Sequence, residues 1–101
     1  MIAIQRLVQK VVPGKWAAAE VLTKKFEPLE RRFGLPAAKR YQCITGGHDW
    51  NTCILERQWE SLAVMEATFE KCMADPEYQA LDAEKVGIIE SEQLEIYTPL
   101  P

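Results

Sequence analysis

The stretch Ile54–Glu84, "ILERQWESLAVMEATFEKCMADPEYQALDAE", predicts a strand followed by two helices. An extended run ends at Trp59, and Ser61 is placed to cap the first helix. That helix carries its apolar residues at spacings of three and four, namely Leu62, Met65, Phe69, Cys72 and Met73. A second helix begins at Asp75–Glu77, where a capping aspartate precedes a first-turn proline and an acidic residue at the positive end of the dipole.

Upstream of this stretch the sequence predicts a strand and a long helix. Met1–Val12 is rich in β-branched residues and stops at a Pro-Gly pair, which is typical of a strand. From Trp16 the apolar residues form one helical stripe, namely Ala19, Leu22, Phe26, Leu29 and Phe33. Pro28 lies inside this stripe, so we expect it to kink or end the regular helix near Phe26. Gly34 is a plausible end of the helix.

Two further extended runs, Ala37–Thr45 and Asn51–Trp59, flank a turn-rich segment. The segment Gly46–Trp50 contains two glycines, and a short Gly-containing loop between strands favours an antiparallel hairpin. If the turn centres on His48, Cys43 and the cysteine at position 53 lie opposite each other. The last strand is predicted at Gln93–Thr98, where apolar and polar residues alternate.

The order of these elements is β-α-β-β-α-(α)-β, which predicts a single α+β domain over residues 1–101. Two split βαβ units give a ferredoxin-like fold, with a four-stranded antiparallel sheet and helices on one face. The third predicted strand has Cys53, Leu55 and Trp59 on one face and the apolar Ile54 on the other. Because helices cover one face only, we expect a second copy of the chain to pack on the other, giving a homodimer.

Composition and charge exclude several classes of protein. The net charge is −3, from 12 basic and 15 acidic residues spread along the chain, whereas nucleic-acid and anionic-membrane surfaces need a concentrated basic patch. Polar residues interrupt the apolar amino-terminal segment, so we expect no secretory signal there. No run approaches the length of a membrane span. The expected location is the cytoplasm.

The cysteines are expected to be reduced thiols packed as small apolar groups. There are three of them, Cys43, Cys53 and Cys72, with no Cys-x-x-Cys pair. A strand-to-strand disulfide between the first two is conceivable, but its geometry is often strained. With a single histidine and no paired ligand spacing, a zinc site is not expected, and no other metal is predicted.

Two stretches of the chain resemble the dimeric α/β-barrel superfamily. Ile54–Glu84 looks like its segment of strand, Trp-Glu-Ser, helix, Asp-Pro-Glu and helix, and "VVPGKWAAAEVL" at Val11–Leu22 is similar to its first strand-to-helix junction. The resemblance is strongest to the NIPSNAP-like branch, with the antibiotic-biosynthesis-monooxygenase-like branch close by. It implies a dimer in which two sheets face each other as a barrel, with a pocket between sheet and helices in each subunit. Chemistry within the superfamily varies widely.

The resemblance also bears on cofactors. Haem-degrading members of related families use an Asn on the first strand with a Trp and a His on later helices. This chain has Gln5 and Arg6, then Phe69 and Tyr78, around those places, which argues against haem degradation. No cofactor is expected. Cofactor-independent monooxygenases of this fold hold a phenolic substrate with Asn, Trp, Arg and Tyr side chains, and the similarity to these enzymes is one of composition only.

His48 and Arg57 are the candidate catalytic residues. His48 is the only side chain whose ordinary pKa suits proton transfer near neutral pH, and Asp49 beside it could orient a base. Adjacent turn residues usually point in different directions, so a solvent-exposed or dimer-contacting histidine is favoured. Arg57 and Trp59 project from one face of their strand. If that face meets the helices, Arg57 needs a carboxylate or an anionic ligand, and an Arg57–Glu pair beside a core Trp59 is the favoured interpretation.

The candidate ligand-binding residues are Trp59, Tyr41, Trp16 and Arg57. Tyr41 and Arg40 are adjacent, so one faces the helices and the other faces the dimer side. Aromatic residues, Trp50 included, could line a pocket for a flat ligand, although they are more often core or interface.

Two functions remain open from the sequence. One is a small homodimeric protein that binds a small hydrophobic or aromatic ligand between sheet and helices, or that has a structural role. The other is a cofactor-independent monooxygenase or isomerase acting on a small aromatic or polyketide-like substrate.

Overall fold

A computed structural model describes residues 1–101 as one four-stranded sheet and three helices. In chain order the elements are β1 (Ala3–Val11), α1 (Trp16–Phe33), β2 (Lys39–Gln42), β3 (Thr52–Trp59), α2 (Leu62–Ala74), α3 (Pro76–Ala83) and β4 (Ile89–Tyr97). The strand order is β2-β3-β1-β4, and every neighbouring pair is antiparallel. The predicted ferredoxin-like α+β fold is confirmed. The sheet of one chain is open rather than closed into a barrel.

The helices cover one face of the sheet. The molecule measures 38 × 37 × 17 Å, a slab one sheet and one helix layer thick. Cross-strand register assigns the faces: Gln5 opposes Arg57 and Leu7 opposes Leu55 on the helix side, whereas Val8 opposes Ile54 on the open side. None of the helices combines the length and apolar composition that a membrane crossing requires.

The buried apolar residues form two clusters. The larger cluster joins Trp59 to the buried stripe of α1 and to the inner faces of α2 and α3. The smaller cluster joins Val11, Ala19 and Cys53 at the other end of the sheet. A domain of this size usually has one contiguous core, so the interruption between the clusters marks a place where side chains do not fill the space.

The sequence predicted that Pro28 would kink or end the helix near Phe26, and the prediction of an end there is wrong. The helix continues through Pro28 to Phe33 and ends at Gly34, whose φ of 80° is left-handed. The Gly34 amide donates to the carbonyl of Arg31, which completes the end of the helix. Leu29, beyond the proline, is buried in the larger cluster, and this packing outweighs the local cost of a proline, roughly 3 kcal/mol in a helix interior.

The hairpin is shorter than predicted, because β2 contains only Lys39–Gln42. Gln42, not Cys43, opposes Cys53. The Cys43 amide donates to the carbonyl of Thr52, and Asp49 Oδ1 accepts from the Asn51 amide, so the turn closes one residue away from the symmetric position. All the cysteines are free thiols, as predicted.

The last strand begins before the predicted Gln93. β4 starts at Ile89, because it pairs with the whole length of β1 as far as Val11. The register of the β1–β4 pairing shifts between Lys10 and Val11, as it does at a β-bulge. The first part of β4 has no clean alternation, which is why the sequence pattern predicted a shorter strand.

Candidate functional site

A cavity of about 340 Å³ lies between α1 and the sheet, where the core is interrupted. Its floor comes from β1 and β3, its roof from α1, and one wall from the segment after α1. Of the 23 residues that line it, 13 are hydrophobic. Sites for small molecules occupy roughly 300–1,000 Å³ and are mostly apolar with a few polar groups, so this cavity has the character of a small binding site.

Arg57 lies at one end of the cavity and is only 4% exposed. Its Nη2 donates to Glu30 Oε2 on α1 at 2.6 Å, and its Nε donates to the Pro36 carbonyl at 3.0 Å. The alternation of β3 places Arg57 on the helix side with Trp59, as the sequence predicted. The favoured interpretation, an Arg57–Glu pair beside a core tryptophan, is confirmed, and the structure identifies the glutamate as Glu30.

Trp59 is part of the core rather than the cavity wall. It is 1% exposed, and its ring packs at 5.6 Å from that of Phe69. Its indole Nε1 donates to Gln5 Oε1 at 2.8 Å. Because an indole N–H is only a donor, this bond determines which way the amide of Gln5 points.

Three side chains at this end of the cavity have hydrogen-bond donors with no partner in the chain. Gln5 opposes Arg57 across β1 and β3, and both line the cavity. Gln5 uses Oε1 for Trp59 and leaves Nε2 free, while Arg57 uses Nη2 and Nε and leaves Nη1 free. The Tyr78 hydroxyl, on a residue that also lines the cavity, makes no hydrogen bond either. Burial raises the pKa of Tyr78 to about 12, so its hydroxyl stays protonated and can donate.

A second ion pair lies beside the cavity near Cys53. Both Nη atoms of Arg40 donate to Glu20 of α1, at 2.9 and 2.7 Å. The hydrogen bond from Arg40 holds the pKa of the Glu20 carboxyl below its usual value. Burial raises the pKa of the Cys53 thiol, whose sulfur lies 3.7 Å from Arg40 Nη2. The positive and negative charges here satisfy each other.

The other predicted site residues do not converge on the cavity. Tyr41 opposes Ile54 and lies on the open face of the sheet, half exposed. Trp16 lies at the start of α1, where its Nε1 donates to Asn51 Oδ1 at 3.1 Å. His48 and Trp50 are exposed in the loop between β2 and β3. Of the predicted ligand-binding residues, Arg57 alone lines the cavity.

The predicted base at His48 has no partner in the loop. The contact recorded at this residue is through its backbone carbonyl, which accepts from Cys43 Sγ at 3.2 Å. Asp49 instead pairs with Lys10 at 3.5 Å and accepts from Thr52. No group of three or more His, Cys, Asp and Glu side chains is placed to hold a metal ion.

Sequence reasoning did not place Gln5 and Tyr78 in the site. A signal was present for Gln5, because it is a polar residue at a helix-facing position of a central strand, where an apolar side chain is the rule. No comparable signal existed for Tyr78, whose spacing with Leu81 is that of an ordinary core stripe.

Solved structures with this arrangement of strands and helices come from several bacteria. A NIPSNAP family protein from Agrobacterium tumefaciens superposes with a TM-score of 0.82 at 17% identity, over 99% of this chain and 94% of that chain. An uncharacterized NIPSNAP-like domain protein from Burkholderia xenovorans gives 0.79 at 14% identity, over 98% and 85%. The chain shares the fold of these NIPSNAP proteins. No protein-family model matches its sequence, and no curated protein does.

The same fold also occurs in proteins with other names. A candidate antibiotic biosynthesis monooxygenase from Chloroflexus aurantiacus superposes with a TM-score of 0.69 at 14% identity, over 100% of this chain and 95% of that chain. Another Agrobacterium tumefaciens NIPSNAP family protein, at 0.80 and 16% identity, is described as having unknown function. At these identities the likeness establishes the fold, so function has to be argued from the cavity.

Proposed function

We propose that this chain is a homodimeric protein that binds a small apolar or aromatic ligand in the cavity between α1 and the sheet. The observation that carries the proposal is the cavity of about 340 Å³ that interrupts the core. Space of this size between packed layers forfeits contact energy unless something occupies it. Its mostly apolar walls, with polar groups at one end, suit a small molecule that has an apolar body.

The open face of the sheet supports the homodimer. Tyr41 and Tyr97 lie on this face, each about half exposed, beside Val8 and Ile54, which are already buried within the single chain. No helix of the chain packs there, since all of them lie on the other side. A second copy packed sheet to sheet would bury this surface and complete a barrel.

Native mass spectrometry on freshly purified protein, at gentle and then harsher activation, tests this function. We expect a dimer that releases a defined small molecule. The variant Leu55→Trp enlarges a cavity-lining side chain of β3 and should release none, while still assembling. Val21→Trp, on an exposed position of α1, is the matched control and should behave like the parent protein.

The possible outcomes separate the two parts of the proposal. A stable monomer would contradict the dimer. If the bound molecule survives Leu55→Trp at the same occupancy, it does not bind in the cavity. A dimer that neither carries a molecule nor takes one up from a panel of small aromatic compounds would contradict the binding function.

The second candidate is a cofactor-independent monooxygenase or isomerase acting on a small aromatic or polyketide-like substrate. The free donors of Gln5 and Arg57 favour it, because donors that bind a substrate carbonyl also stabilise the partial negative charge that its oxygen gains when a neighbouring C–H bond breaks. In the oxidation, one atom of O₂ replaces two hydrogens of a substrate methylene group, and the other atom leaves with those hydrogens as water. Oxygen consumption with a panel of hydroxylated anthrones tests this activity. Arg57→Lys should reduce the rate if the activity is real.

The expected cytoplasmic location is also a proposal. Its support is that Cys43, Cys53 and Cys72 are all free thiols, which persist in a reducing compartment. No partner other than a second copy and the ligand is proposed. Fractionation of cells that produce the protein checks the location.

A further inference from the structure

We infer that the ligand presents a neutral carbonyl oxygen to Gln5 Nε2 and Arg57 Nη1 at the polar end of the cavity. The inference rests on the proposed binding function and specifies its ligand class. The ligand is therefore a small ketone, quinone, lactone or ester with a hydrocarbon body, rather than a pure hydrocarbon or a carboxylate.

The two donors are held in place by other bonds. Trp59 holds the amide of Gln5 through Oε1, and Glu30 with the Pro36 carbonyl holds the guanidinium of Arg57. The residues are direct cross-strand partners, whose Cβ atoms lie about 4.5–5.5 Å apart in antiparallel pairs. The two donors therefore belong to neighbouring side chains on one face of the sheet, and the inference is that one acceptor atom bonds both.

Both donors need a partner that the chain does not supply. Gln5 and Arg57 are each only 4% exposed. Neither Gln5 Nε2 nor Arg57 Nη1 makes a hydrogen bond, and neither is among the polar atoms sealed off from solvent. Since both residues line the cavity, the open side of each donor faces it. A ligand that fills the cavity excludes water from these donors, so a ligand that brings an acceptor is selected over one that leaves them unpaired.

The charge already present selects a neutral acceptor. Glu30 neutralises Arg57 at 2.6 Å, and Glu20 neutralises Arg40 on the other side of the cavity. A ligand carboxylate would therefore bring an uncompensated negative charge next to the Glu30 carboxylate, which is strongly unfavourable in a buried site. A carbonyl oxygen accepts the same hydrogen bonds without that charge.

The groups around these donors agree with a neutral ligand. The Tyr78 hydroxyl, which is neutral, adds a third donor at this end of the cavity. Glu27 and Arg31 line the cavity from exposed positions of α1 and carry opposite charges. Lys85 also lines it, and its charge is paired with Asp82 and Glu92. Leu7, Leu22 and other apolar side chains surround the remaining space, which suits a body of one or two rings.

Titration calorimetry with three matched bicyclic compounds tests the inference on the full-length protein. α-Tetralone carries a carbonyl, tetralin is its hydrocarbon counterpart, and α-naphthoate carries a carboxylate. We expect α-tetralone to bind at least about tenfold more tightly than either of the others, the order expected when an acceptor meets buried donors. The comparison needs no variant, so it does not depend on a variant that folds.

Two conservative variants then assign the effect to the donors. Gln5→Glu keeps an acceptor for Trp59 and removes the donor, and Arg57→Lys keeps the charge beside Glu30 and removes Nη1. Each should reduce the preference for α-tetralone over tetralin, measured as the ratio of the two dissociation constants within the same variant. Gln5→Met serves in place of Gln5→Glu if the added charge prevents folding. Glu66→Gln, at an exposed position of α2, is the control and should keep the preference.

The outcomes distinguish this inference from the proposed function. If α-tetralone and tetralin bind equally and Leu55→Trp blocks both, the cavity binds ligands but the carbonyl inference is overturned. If α-naphthoate binds most tightly, the inference is overturned in favour of an anionic ligand. If none of the three binds, the proposed function fails and the inference fails with it.

Discussion

Gln5 is the residue that connects the core of this protein to its cavity. Its Oε1 satisfies the indole N–H of the buried Trp59, and its Nε2 is left to face the cavity. A polar side chain at such a position is unfavourable unless its groups are bonded. The amide therefore stabilises the fold through one atom, and its other atom is the donor that we propose for the ligand.

The cysteines give a prediction at the residue scale. In the native protein, iodoacetamide should alkylate Cys43 first, because it is only partly buried, whereas Cys53 and Cys72 are enclosed. Burial raises the pKa of the Cys53 and Cys72 thiols, so less of the reactive thiolate forms near neutral pH. These two should react at least about a hundredfold more slowly, at a rate set by local opening. Peptide mass mapping against time measures each site.

A matched substitution makes the assignment firm. Cys43→Ser should remove the fast phase and leave the slow phases unchanged. Unfolding the protein in guanidinium should make all three sites react alike. Rapid labelling of Cys53 in the folded protein would contradict the enclosed position of its sulfur beside Arg40.

At the scale of elements, α1 is a helix that tolerates a proline because both of its halves are packed. The proline removes a donor from the backbone and crowds the preceding turn. Leu22 and Phe26 before it, and Leu29 after it, all belong to the larger core cluster. The packing of the buried stripe therefore carries the helix past Pro28.

Replacing this proline should stabilise the protein. We expect Pro28→Ala to raise the free energy of unfolding by about 1–2 kcal/mol, because the regained backbone bond outweighs the greater freedom of the unfolded chain. Pro76→Ala is the control, since Pro76 lies at the start of α3, where no backbone bond is available to regain. That variant should lose less than about 1 kcal/mol. Urea unfolding of both proteins measures the difference, and a loss of stability in Pro28→Ala would contradict this account of α1.

At the scale of the whole molecule, the main feature is the open face of the sheet, which the helices of one chain leave uncovered. The slab is 17 Å thick, with helices on one side and the surface around Val8 and Ile54 on the other. Tyr41 and Tyr97 flank these two buried residues and are each about half exposed. The sheet-to-sheet dimer that we propose would cover them.

A charge on this face should weaken the dimer. Tyr41→Glu places a carboxylate where the proposed partner packs, so we expect the dissociation constant to rise about a hundredfold, the scale of a buried aromatic contact. Val86→Glu, at an exposed apolar position before β4, is the control and should dimerise like the parent protein. Sedimentation equilibrium measures both. Equal dissociation constants for the two variants would place the interface elsewhere.

Much of the fold could be predicted from sequence because its signals are local. Capping at Ser61 and Asp75, the stripe of α1 and the alternation of β3 each depend on residues a few positions apart. The errors arose where distant packing overrides a local signal. The helix does not end near Phe26, because the core extends past Pro28, and it ends at Gly34 as the sequence also predicted. The hairpin register differs from the prediction because Asp49 bonds the Asn51 amide and closes the turn one residue from the symmetric position.

The sequence by itself determined the order of elements, the faces of the central strands and the need of Arg57 for a carboxylate. Only the tertiary structure decided that Glu30 supplies this carboxylate, that Gln5 pairs with Trp59, and that a cavity separates two core clusters. The physical reason is one of range. Periodicity and caps act within one or two turns of chain, whereas partners 27 and 54 residues apart meet only when the sheet has formed and the helices have packed on it.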